Sequence, residues 1–465
     1  MVAEDAAQKR WIEPPEGREL VDRLAAGKAA RARAPRSAHA HWQPGPERSD
    51  PVDVLQEDDA TRLPQLVPVR YARMVPSPFT FYRGAAAIMA RDLATTPFSG
   101  IRTQICGDCH LLNFGAFGTP ERNYVFDVND FDETIWGPWE FDVKRLATSF
   151  VIAGRHLALR PGEIEAAALA CLRSYRERTF EYASRHVLDV WYARLDEVAL
   201  AQAVRSAQER RRLGDAPGKA RAATSVHLFP RITDPEHGRR HIVDQPPQVF
   251  HPPDAEAFLE MVRATFARYR DSLPEALRAL LDRFRLVDAA YKVVGVGSVG
   301  TRCMIGLFLA DEDDPLILQV KEARRSVHEA FVGDCGFRDE GERVVVGQRL
   351  MQAASDVFLG WARDDEGHDY YFRQLRDLKT SANVDRMTAE DLRDYAIICG
   401  WALARAHAKA GGEAAMIAGY LGRGDVFDRA VVAFAHGYAD QNERDYAALQ
   451  AAVKAGRITV ASSSS

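Results

Sequence analysis

Cysteine is scarce in this chain, with six among its 465 residues. So few thiols cannot supply a disulfide framework for a protein of this length, and reduced cysteines in a cytosol are the simplest interpretation. No apolar run approaches the roughly 20 residues that span a bilayer. The first residues also lack the apolar core of a secretory signal. We therefore expect a cytoplasmic protein without a membrane span.

An excess of positive charge is absent as well. The formal net charge is −5 at pH 7, which does not indicate a nucleic-acid partner. Hydrophobic residues make up 46% and charged residues 27% of the chain, as is ordinary for a soluble globular protein. Because one hydrophobic core rarely serves a chain this long, we expect two or three lobes.

The composition changes along the chain and predicts four regions. They are an irregular N-terminal arm with one short helix (1–60), a helical lobe (61–288), a small β-rich lobe (289–380) and C-terminal helices that pack on the helical lobe (381–455). In the β-rich lobe we predict three strands, a helix around 340–354 and two further strands.

Apolar periodicity predicts the helices of the large lobe. We expect long helices around 161–184, 186–212 and 254–285, the last of them interrupted at Pro274. A helix of about 14 residues is also predicted within "SPFTFYRGAAAIMARDLATTP". The stretch 215–254 reads as a long irregular segment, and such segments often line functional sites.

The stretch "CGDCHLLNFG", residues 106–115, can be interpreted in three ways. Cys106, Cys109 and His110 form the C-x-x-C-H pattern of c-type haem attachment, and the two cysteines alone could be a dithiol or half of a zinc site. Asp108, His110 and Asn113 instead form a G-D-x-H-x-x-N pattern that suggests phosphoryl transfer.

The haem and zinc interpretations lack supporting residues. Haem attachment of this type requires export, for which the sequence shows no signal. A structural zinc site needs four ligands, usually from paired motifs. The other cysteines are isolated in the sequence: Cys171, Cys303, Cys335 and Cys399.

Phosphoryl transfer gains support from the residues that follow. The reaction needs a carboxylate to accept the proton of the attacking hydroxyl, and an amide and a second carboxylate to hold magnesium. Asp108 and Asn113 are close in sequence, and Asp130 follows the predicted strand "NYVF". Two adjacent antiparallel strands would bring these oxygen donors together, and magnesium prefers such donors. A polar turn with helix-capping aspartates is the alternative.

"CGDCHLLNFG" followed by "VNDFDETIWGPWEFDVKRLA" resembles the H-G-D-x-H-x-x-N and I-D-W-x5-G-D-P-x-x-D-L-A motifs of aminoglycoside and choline kinase-like phosphotransferases. The resemblance implies a catalytic base at Asp108, magnesium ligands at Asn113 and Asp130, and an aspartate at Asp142 that braces the catalytic loop. His110 would be structural.

The sequence departs from these motifs at two positions. Cys106 replaces the first histidine, and Pro138 stands where those families have the aspartate of G-D-P. Neither replaced residue takes part in the chemistry. Asp127 is a second candidate for the metal, because it also lies at the end of the strand.

A second motif lies far downstream in "VVGVGSVGTR". Gly295, Gly297 and Gly300 form a G-x-G-x-x-G loop whose backbone amides, with Ser298, could close over phosphates. A simple hairpin explains this spacing equally well. A Rossmann loop would require a following helix, whereas the residues after the loop are strand-like.

Lys321 in "LILQVKEA" resembles the lysine of the V-A-I-K strand of protein kinases, which binds the α- and β-phosphates of ATP. A buried lysine needs an anionic partner. We expect that partner to be Glu342, or alternatively Glu329, on the helix that follows.

In kinases the glycine-rich lobe precedes the catalytic loop, whereas here it follows. The two resemblances together imply an α+β, protein kinase-like (aminoglycoside phosphotransferase-like) fold that is circularly permuted, with a large helical lobe and a small antiparallel β lobe. A permuted order is physically permissible, because a fold depends on its contacts rather than on the position of its termini. The implied ligands are ATP and Mg²⁺, with an unidentified hydroxyl acceptor.

Much of the chain, from about Val67 to Asp440, also resembles a bacterial family known only as domain-of-unknown-function family 2252. The stretches that carry this likeness include "FYRGAAAIMA", "GDCHLLNFG", "GQRLMQAASDVFLGW" and "ALARAHAKAG". The likeness implies no substrate. Two alternatives to a kinase-like phosphotransferase therefore remain open: a nucleotide-binding pseudokinase or regulatory module, and a metal-dependent phosphohydrolase.

Several other polar or aromatic residues have a structural interpretation at least as good as a functional one. They are Arg373, Arg376 and Lys379 at a strand end, His227, His237 and His241 in the irregular segment, Trp136 and Trp139 around a turn, and Tyr82, Arg83, Lys144 and Arg145 on helices.

Overall fold

The structure is a computed structural model, and it describes residues 11–12, 19–203, 225–236, 239–375 and 380–462. Helices and antiparallel sheets make up these residues, which confirms the predicted α+β class. No helix within the described ranges combines the length and the apolar character needed to cross a membrane.

The α-helices, in chain order, are α1 Leu20–Ala29, α2 Pro51–Asp59, α3 Val67–Met74, α4 Pro78–Gly84, α5 Ala86–Ala94, α6 Trp139–His156, α7 Pro161–Ala183, α8 Val187–Trp191, α9 Glu197–Ala203, α10 Ser225–Ile232, α11 Ala255–Asp271, α12 Glu275–Leu281, α13 Glu329–Val332, α14 Glu340–Met351, α15 Ala389–Gly411, α16 Ala414–Leu421 and α17 Val426–Lys454. The strands are β1 Arg102–Ile105, β2 Phe114–Gly118, β3 Tyr124–Val128, β4 Ile135–Pro138, β5 Leu195–Asp196, β6 Thr233–Glu236, β7 Arg239–Ile242, β8 Val249–Phe250, β9 Arg285–Lys292, β10 Cys303–Asp311, β11 Asp314–Ala323, β12 Gly360–Arg363, β13 Asp369–Gln374 and β14 Thr380–Ser381.

The helical core of the large lobe is built from segments at opposite ends of the chain. Helix α15 packs along α7, and α17 packs on α6. Almost every residue of α6 is buried, so this helix runs through the middle of the lobe. Thr388 and Asp391 form a capping box at the start of α15, as the sequence "TAED" predicts.

Two small antiparallel pairings hold the ends of the motif segment together. Strand β1, which leads into the motif, pairs with β4. Strand β2, which follows it, pairs with β3 and with the short β14. Because β1 and β2 enclose the loop 106–113 and β3 and β4 enclose the segment 129–134, the two segments lie side by side.

The small lobe is a six-stranded antiparallel sheet in the order β12–β13–β11–β10–β9–β8. The glycine-rich segment connects β9 to β10, Lys321 lies near the end of β11, and α14 follows in the chain. Lys321 is opposite Cys303 on one side and Tyr371 on the other. Helix α11 covers one face of the sheet, where the rings of Tyr269 and Phe372 stack 4.1 Å apart.

Three expectations about local structure need correction. The helix predicted before the motif is two helices, α4 and α5, and the helix predicted at 186–212 is the short α8, strand β5 and then α9, with residues from 204 onward outside the described ranges. The stretch predicted to be irregular contains α10 and the β6–β7 hairpin. The predicted interruption at Pro274 does separate α11 from α12.

Candidate functional site

A cleft brings the two sequence motifs together. Its empty space is about 840 Å³, including the open mouth. The lining residues come from the loop 106–113, the segment after β3, the glycine-rich loop, the end of β11 with the residues after it, and the N-terminal segment from α2 to α5. Asp132 and Ser298, which are 166 positions apart in the sequence, therefore face one space.

The loop 106–113 is held from below by one buried carboxylate. Asp142, in the first turn of α6, accepts hydrogen bonds from the backbone N–H groups of Cys106 at 2.8 Å and Gly107 at 3.0 Å. His407 Nε2 lies 3.2 Å from the same carboxylate. Gly107 has a φ of +80°, and a Cβ there would lie 2.2 Å from the carbonyl oxygen of Glu133. Only glycine fits this close approach.

Asp108 reaches the cleft with one of its carboxylate oxygens already bound. Arg145 Nε donates to Oδ1 at 2.6 Å, and the Arg145 Nη2 atom also contacts this oxygen. Oδ2 lies 3.9 Å from His110 Nε2, beyond hydrogen-bond distance. Burial raises the pKa of Asp108 to about 6, although Arg145 opposes the shift. A carboxylate in this state can accept a proton near neutral pH.

His110 and Asn113 shape the loop from within. His110 Nδ1 accepts a hydrogen bond from the backbone N–H of Leu112 at 3.2 Å, which caps the short 3-10 turn Leu111–Asn113. The Asn113 side-chain amide donates to the carbonyl of Asp108 at 2.7 Å. Asn113 lines the cleft, and because this bond uses the side-chain nitrogen, the side-chain oxygen can still bind a cation.

Two aspartates that follow β3 hold Lys321. Lys321 Nζ lies 2.6 Å from Asp132 Oδ2 and 3.4 Å from Asp130 Oδ1. Tyr371 Oη donates to the other oxygen of Asp132 at 2.6 Å, and Ser298 Oγ donates to Asp132 at 3.1 Å. Burial alone would lower the pKa of Lys321, but the two aspartates raise it well above its ordinary value. Lys321 is thus a buried ammonium group at the junction of the two lobes.

The glycine-rich loop is attached to the N-terminal helices. Arg62 Nη1 donates to the carbonyls of Gly297 at 2.8 Å and Val299 at 2.6 Å. Arg73 Nη1 donates to the carbonyl of Gly295 at 2.6 Å, and the N–H of Leu63 donates to Gly300 at 2.7 Å. Gly295 and Gly300 have positive φ values of +64° and +91°, so the loop uses the conformational freedom of glycine at both ends.

The sequence predicted Asp127 as a second candidate metal ligand, but in the structure its carboxylate is not available to a metal. Its side chain is fully buried, with Arg405 Nη2 2.7 Å from Oδ1 and 2.9 Å from Oδ2. The backbone N–H of Ala353 also donates to it at 2.7 Å. Asp127 therefore anchors the end of β3 to α15 and to the segment after α14.

The prediction that Lys321 pairs with a glutamate, Glu342 or Glu329, is also wrong. Within the described residues, the ion-pair partners of Lys321 are Asp130 and Asp132. Glu342 lies in the first turn of α14, where its N–H is bonded by the helix-capping Asp339. The carboxylate of Glu329 pairs with Arg325. The lysine thus finds its acids on the large lobe rather than on the following helix.

Several residues at the cleft carry no sequence signal of their own. Arg145 holds Asp108, and Asp132 holds Lys321. Asp58 pairs with Arg62 at 2.7 Å and with Arg70 at 2.8 Å. The repeated acid in "NDFDE" was the available clue to Asp132. Asp58 and Arg62 are four residues apart and form a local pair, whereas the contact between Asp108 and Arg145 spans 37 residues and no local pattern encodes it.

The remaining candidates from the sequence lie elsewhere or have other partners. Arg373 Nε donates to Gln319 at 3.0 Å, beside the Lys321 cluster, and Tyr82 Oη donates to the carbonyl of Arg145 at 2.8 Å. Lys144 Nζ donates to Thr96 at 2.7 Å. Trp136 lies on β4 and the buried Trp139 begins α6. His237, Arg376 and Lys379 lie outside the described residues, as does the side-chain environment of His227.

Comparison with models of protein families identifies the family of this chain. A family model described as an uncharacterized protein conserved in bacteria, DUF2252, matches residues 62–452. The chain therefore belongs to this family. Neither the search of curated proteins nor the search of solved structures finds a match.

Proposed function

Starting from membership of an uncharacterised bacterial family, we propose that this protein is an ATP- and magnesium-dependent phosphotransferase of kinase-like architecture with a circularly permuted chain. The observation that carries the proposal is the convergence of Asp108, Asn113 and Asp130 with the glycine-rich loop around one cleft. Lys321 joins this arrangement through its contacts with Asp130 and Asp132. A turn formed by chance would not require residues so far apart in sequence to meet.

The order of elements in the small lobe supports the proposed kinase-like architecture. The glycine-rich loop joins two antiparallel strands, the lysine lies near the end of the next strand, and a helix follows. This is the order of the glycine-rich loop, the strand lysine and the helix in protein kinases. The catalytic-loop segment precedes it in the chain, so the proposal includes the permutation.

The donor set fits magnesium. Asp130 is 35% exposed at its side chain and, like Asn113, faces the cleft. Hard oxygen donors of this kind are what magnesium requires, and phosphate oxygens usually complete its coordination. When bound, the ion would neutralise charge on the phosphates. Asp132 is less suited as a ligand, because Lys321, Tyr371 and Ser298 already bind its oxygens.

Asp108 would act on the acceptor. Its carboxylate would take the proton of an acceptor hydroxyl while the oxygen of that hydroxyl forms a bond to the terminal phosphorus of ATP. The bond between that phosphorus and the bridging oxygen would break, leaving ADP. Arg145 keeps Asp108 in place and favours its charged form.

The first test is calorimetric titration of Mg-ATP into the wild-type protein and the Asp130→Ala and Lys321→Ala variants. We expect binding that requires magnesium and that weakens at least about tenfold in both variants. Asp440→Asn is the matched control, because Asp440 is an exposed acid paired with Arg155. Absence of binding by folded wild-type protein would refute the proposal.

Turnover then separates the alternatives. Loss of ATP that depends on an added hydroxyl acceptor would support the transferase. Steady release of phosphate without an acceptor would instead indicate a phosphohydrolase. Binding with neither result would indicate a regulatory nucleotide-binding module.

A further inference from the structure

The arginines that line the cleft differ in whether they have an ion-pair partner. Arg62, Arg70 and Arg324 all have Asp58 as an ion-pair partner, at 2.7, 2.8 and 3.1 Å. Arg83 lines the same cleft, but within the described ranges its guanidinium has no hydrogen bond and no ion pair. Its Nε atom is shielded from solvent and lacks a partner.

The location of Arg83 is informative. It lies in the last turn of α4, and its backbone carbonyl would be 3.4 Å from a Cβ placed on Gly297. The residue therefore adjoins the tip of the glycine-rich loop. Burial lowers the pKa of Arg83, and among its neighbours the charge of Asp108 acts most strongly in the opposite direction. Arg83 thus lies near the proposed phosphate loop and faces the same cleft as the proposed catalytic base.

Arg83 is half-buried, and an anion in the cleft would supply the partner that its guanidinium lacks. Removing a charge from water is expensive unless an opposite charge or several acceptors replace the lost hydration. The planar fork of arginine matches the oxygens of a phosphate group, to which it can donate two hydrogen bonds at once. A group held next to both the glycine-rich loop and Asp108 would be the phosphate that moves between nucleotide and acceptor.

We propose that Arg83 binds the terminal, transferring phosphoryl group of the nucleotide. This inference rests on the proposed function, and it assigns a role to the N-terminal helices that lie over the glycine-rich loop. The residue would be supplied by the same chain, so the cleft would not need a second protein to complete it. Arginines that contact a transferring phosphoryl group stabilise its developing charge.

The experiment compares Mg-ATP with Mg-ADP, because only ATP carries the group in question. Both are titrated calorimetrically into wild type, Arg83→Gln, Arg83→Lys and Arg91→Gln. Arg91 is the matched control, since it lies on the adjacent helix α5, is 37% exposed and pairs with Glu57. We expect Arg83→Gln to weaken Mg-ATP at least about tenfold and to change Mg-ADP less than about twofold.

The lysine variant keeps the charge without the fork, and we expect it to lie between Arg83→Gln and wild type. Arg83→Gln should also keep the thermal midpoint of the ligand-free protein, because the replaced group has no partner to lose. Equal affinity of Arg83→Gln and wild type for Mg-ATP would overturn the assignment, as would equal weakening of Mg-ATP and Mg-ADP. Wild-type protein that binds neither nucleotide would instead refute the proposed function, and the assignment with it.

Discussion

Asp142 offers the sharpest test of the site, because its role does not depend on which substrate the protein uses. The carboxylate is 1% exposed and accepts two backbone hydrogen bonds from the loop that presents Asp108. In Asp142→Asn the side-chain amide can still accept through its oxygen. Its nitrogen is a donor, however, and would face a second donor or force the loop to move.

The size of the effect follows from these contacts. A hydrogen bond to a charged acceptor contributes about 1.5–3 kcal/mol, and an orphaned buried donor adds its own cost. In Asp142→Asn one of the two backbone hydrogen bonds is lost, and the other is accepted by a neutral oxygen instead of a charged one. We therefore expect the free energy of unfolding to fall by about 2–4 kcal/mol. Asp142→Ala loses both backbone hydrogen bonds and the contact with His407, and we expect the free energy of unfolding to fall by about 3–6 kcal/mol. Either value is a large part of the roughly 5–15 kcal/mol that stabilises a typical protein.

Urea unfolding measures the loss, and hydrogen exchange locates it. The backbone amides of Cys106 and Gly107 should exchange faster in the variants, because their acceptor is altered or removed. Asp440→Asn is the control, as a surface ion pair contributes about 0–1 kcal/mol. If Asp142→Asn unfolds at the urea concentration of the control and the peptide containing residues 106–107 keeps its protection, the bracing role is refuted.

Four further predictions follow from other contacts in the structure. Phosphoryl transfer should slow as the pH falls through about 6, because burial raises the pKa of Asp108 to about 6 and the protonated carboxyl cannot act as a base. A pH–rate profile checks this. The Asp108→Asn variant should slow transfer about 10²–10⁴-fold while it still binds Mg-ATP. Lys321→Met should weaken Mg-ATP binding at least about tenfold in calorimetry, since two carboxylates would then face the phosphates without a cation. Arg405→Met should lower the free energy of unfolding by about 3–5 kcal/mol in urea, because it leaves the buried Asp127 without its ion pair.

The sequence could predict much of the arrangement of the loop 106–113 and the segment 129–142, because the contacts involved are short-range or follow from strand pairing. The interval from Asp130 to Asp142 is covered by one strand and the start of one helix, so its register is fixed locally. The paired strands β1 and β4 then place Asp142 under the loop. Local propensity also predicted five of the six strands of the small sheet and the cap of α15, whereas β8 lies in the stretch that was predicted to be irregular.

The choice between aspartates could not be made from the sequence. Every residue of β3 is buried, so no alternation of polar and apolar residues shows which way Asp127 points. Its direction is decided by Arg405, which lies 278 residues further along the chain. The partner of Lys321 was unpredictable for a similar reason, since Asp132 lies 189 residues away and on the other lobe.

The N-terminal helices illustrate the same limit. The sequence separates an irregular arm from the helical lobe near residue 60, yet Asp58 and Arg62 form one ion pair across that boundary. Arg62 also reaches Gly297, 235 residues later. Only the folded chain shows that this segment covers the glycine-rich loop, and the significance of Arg83 follows from that contact.

The cysteines Cys106 and Cys109, on either side of Asp108, are alternative candidates for binding a metal. The Sγ atoms of Cys106 and Cys109 and a carboxylate oxygen of Asp142 lie within 4.8 Å of one another, which is close enough for three ligands of a metal. A structural zinc site takes four ligands, and among the residues that the structure describes this group offers three. Asp142 is already engaged by the two backbone amides of the loop. The thiols therefore pack as small apolar groups under the loop, whereas the oxygen donors that remain free to bind a ligand belong to Asp108, Asn113 and Asp130, on the side that faces the cleft.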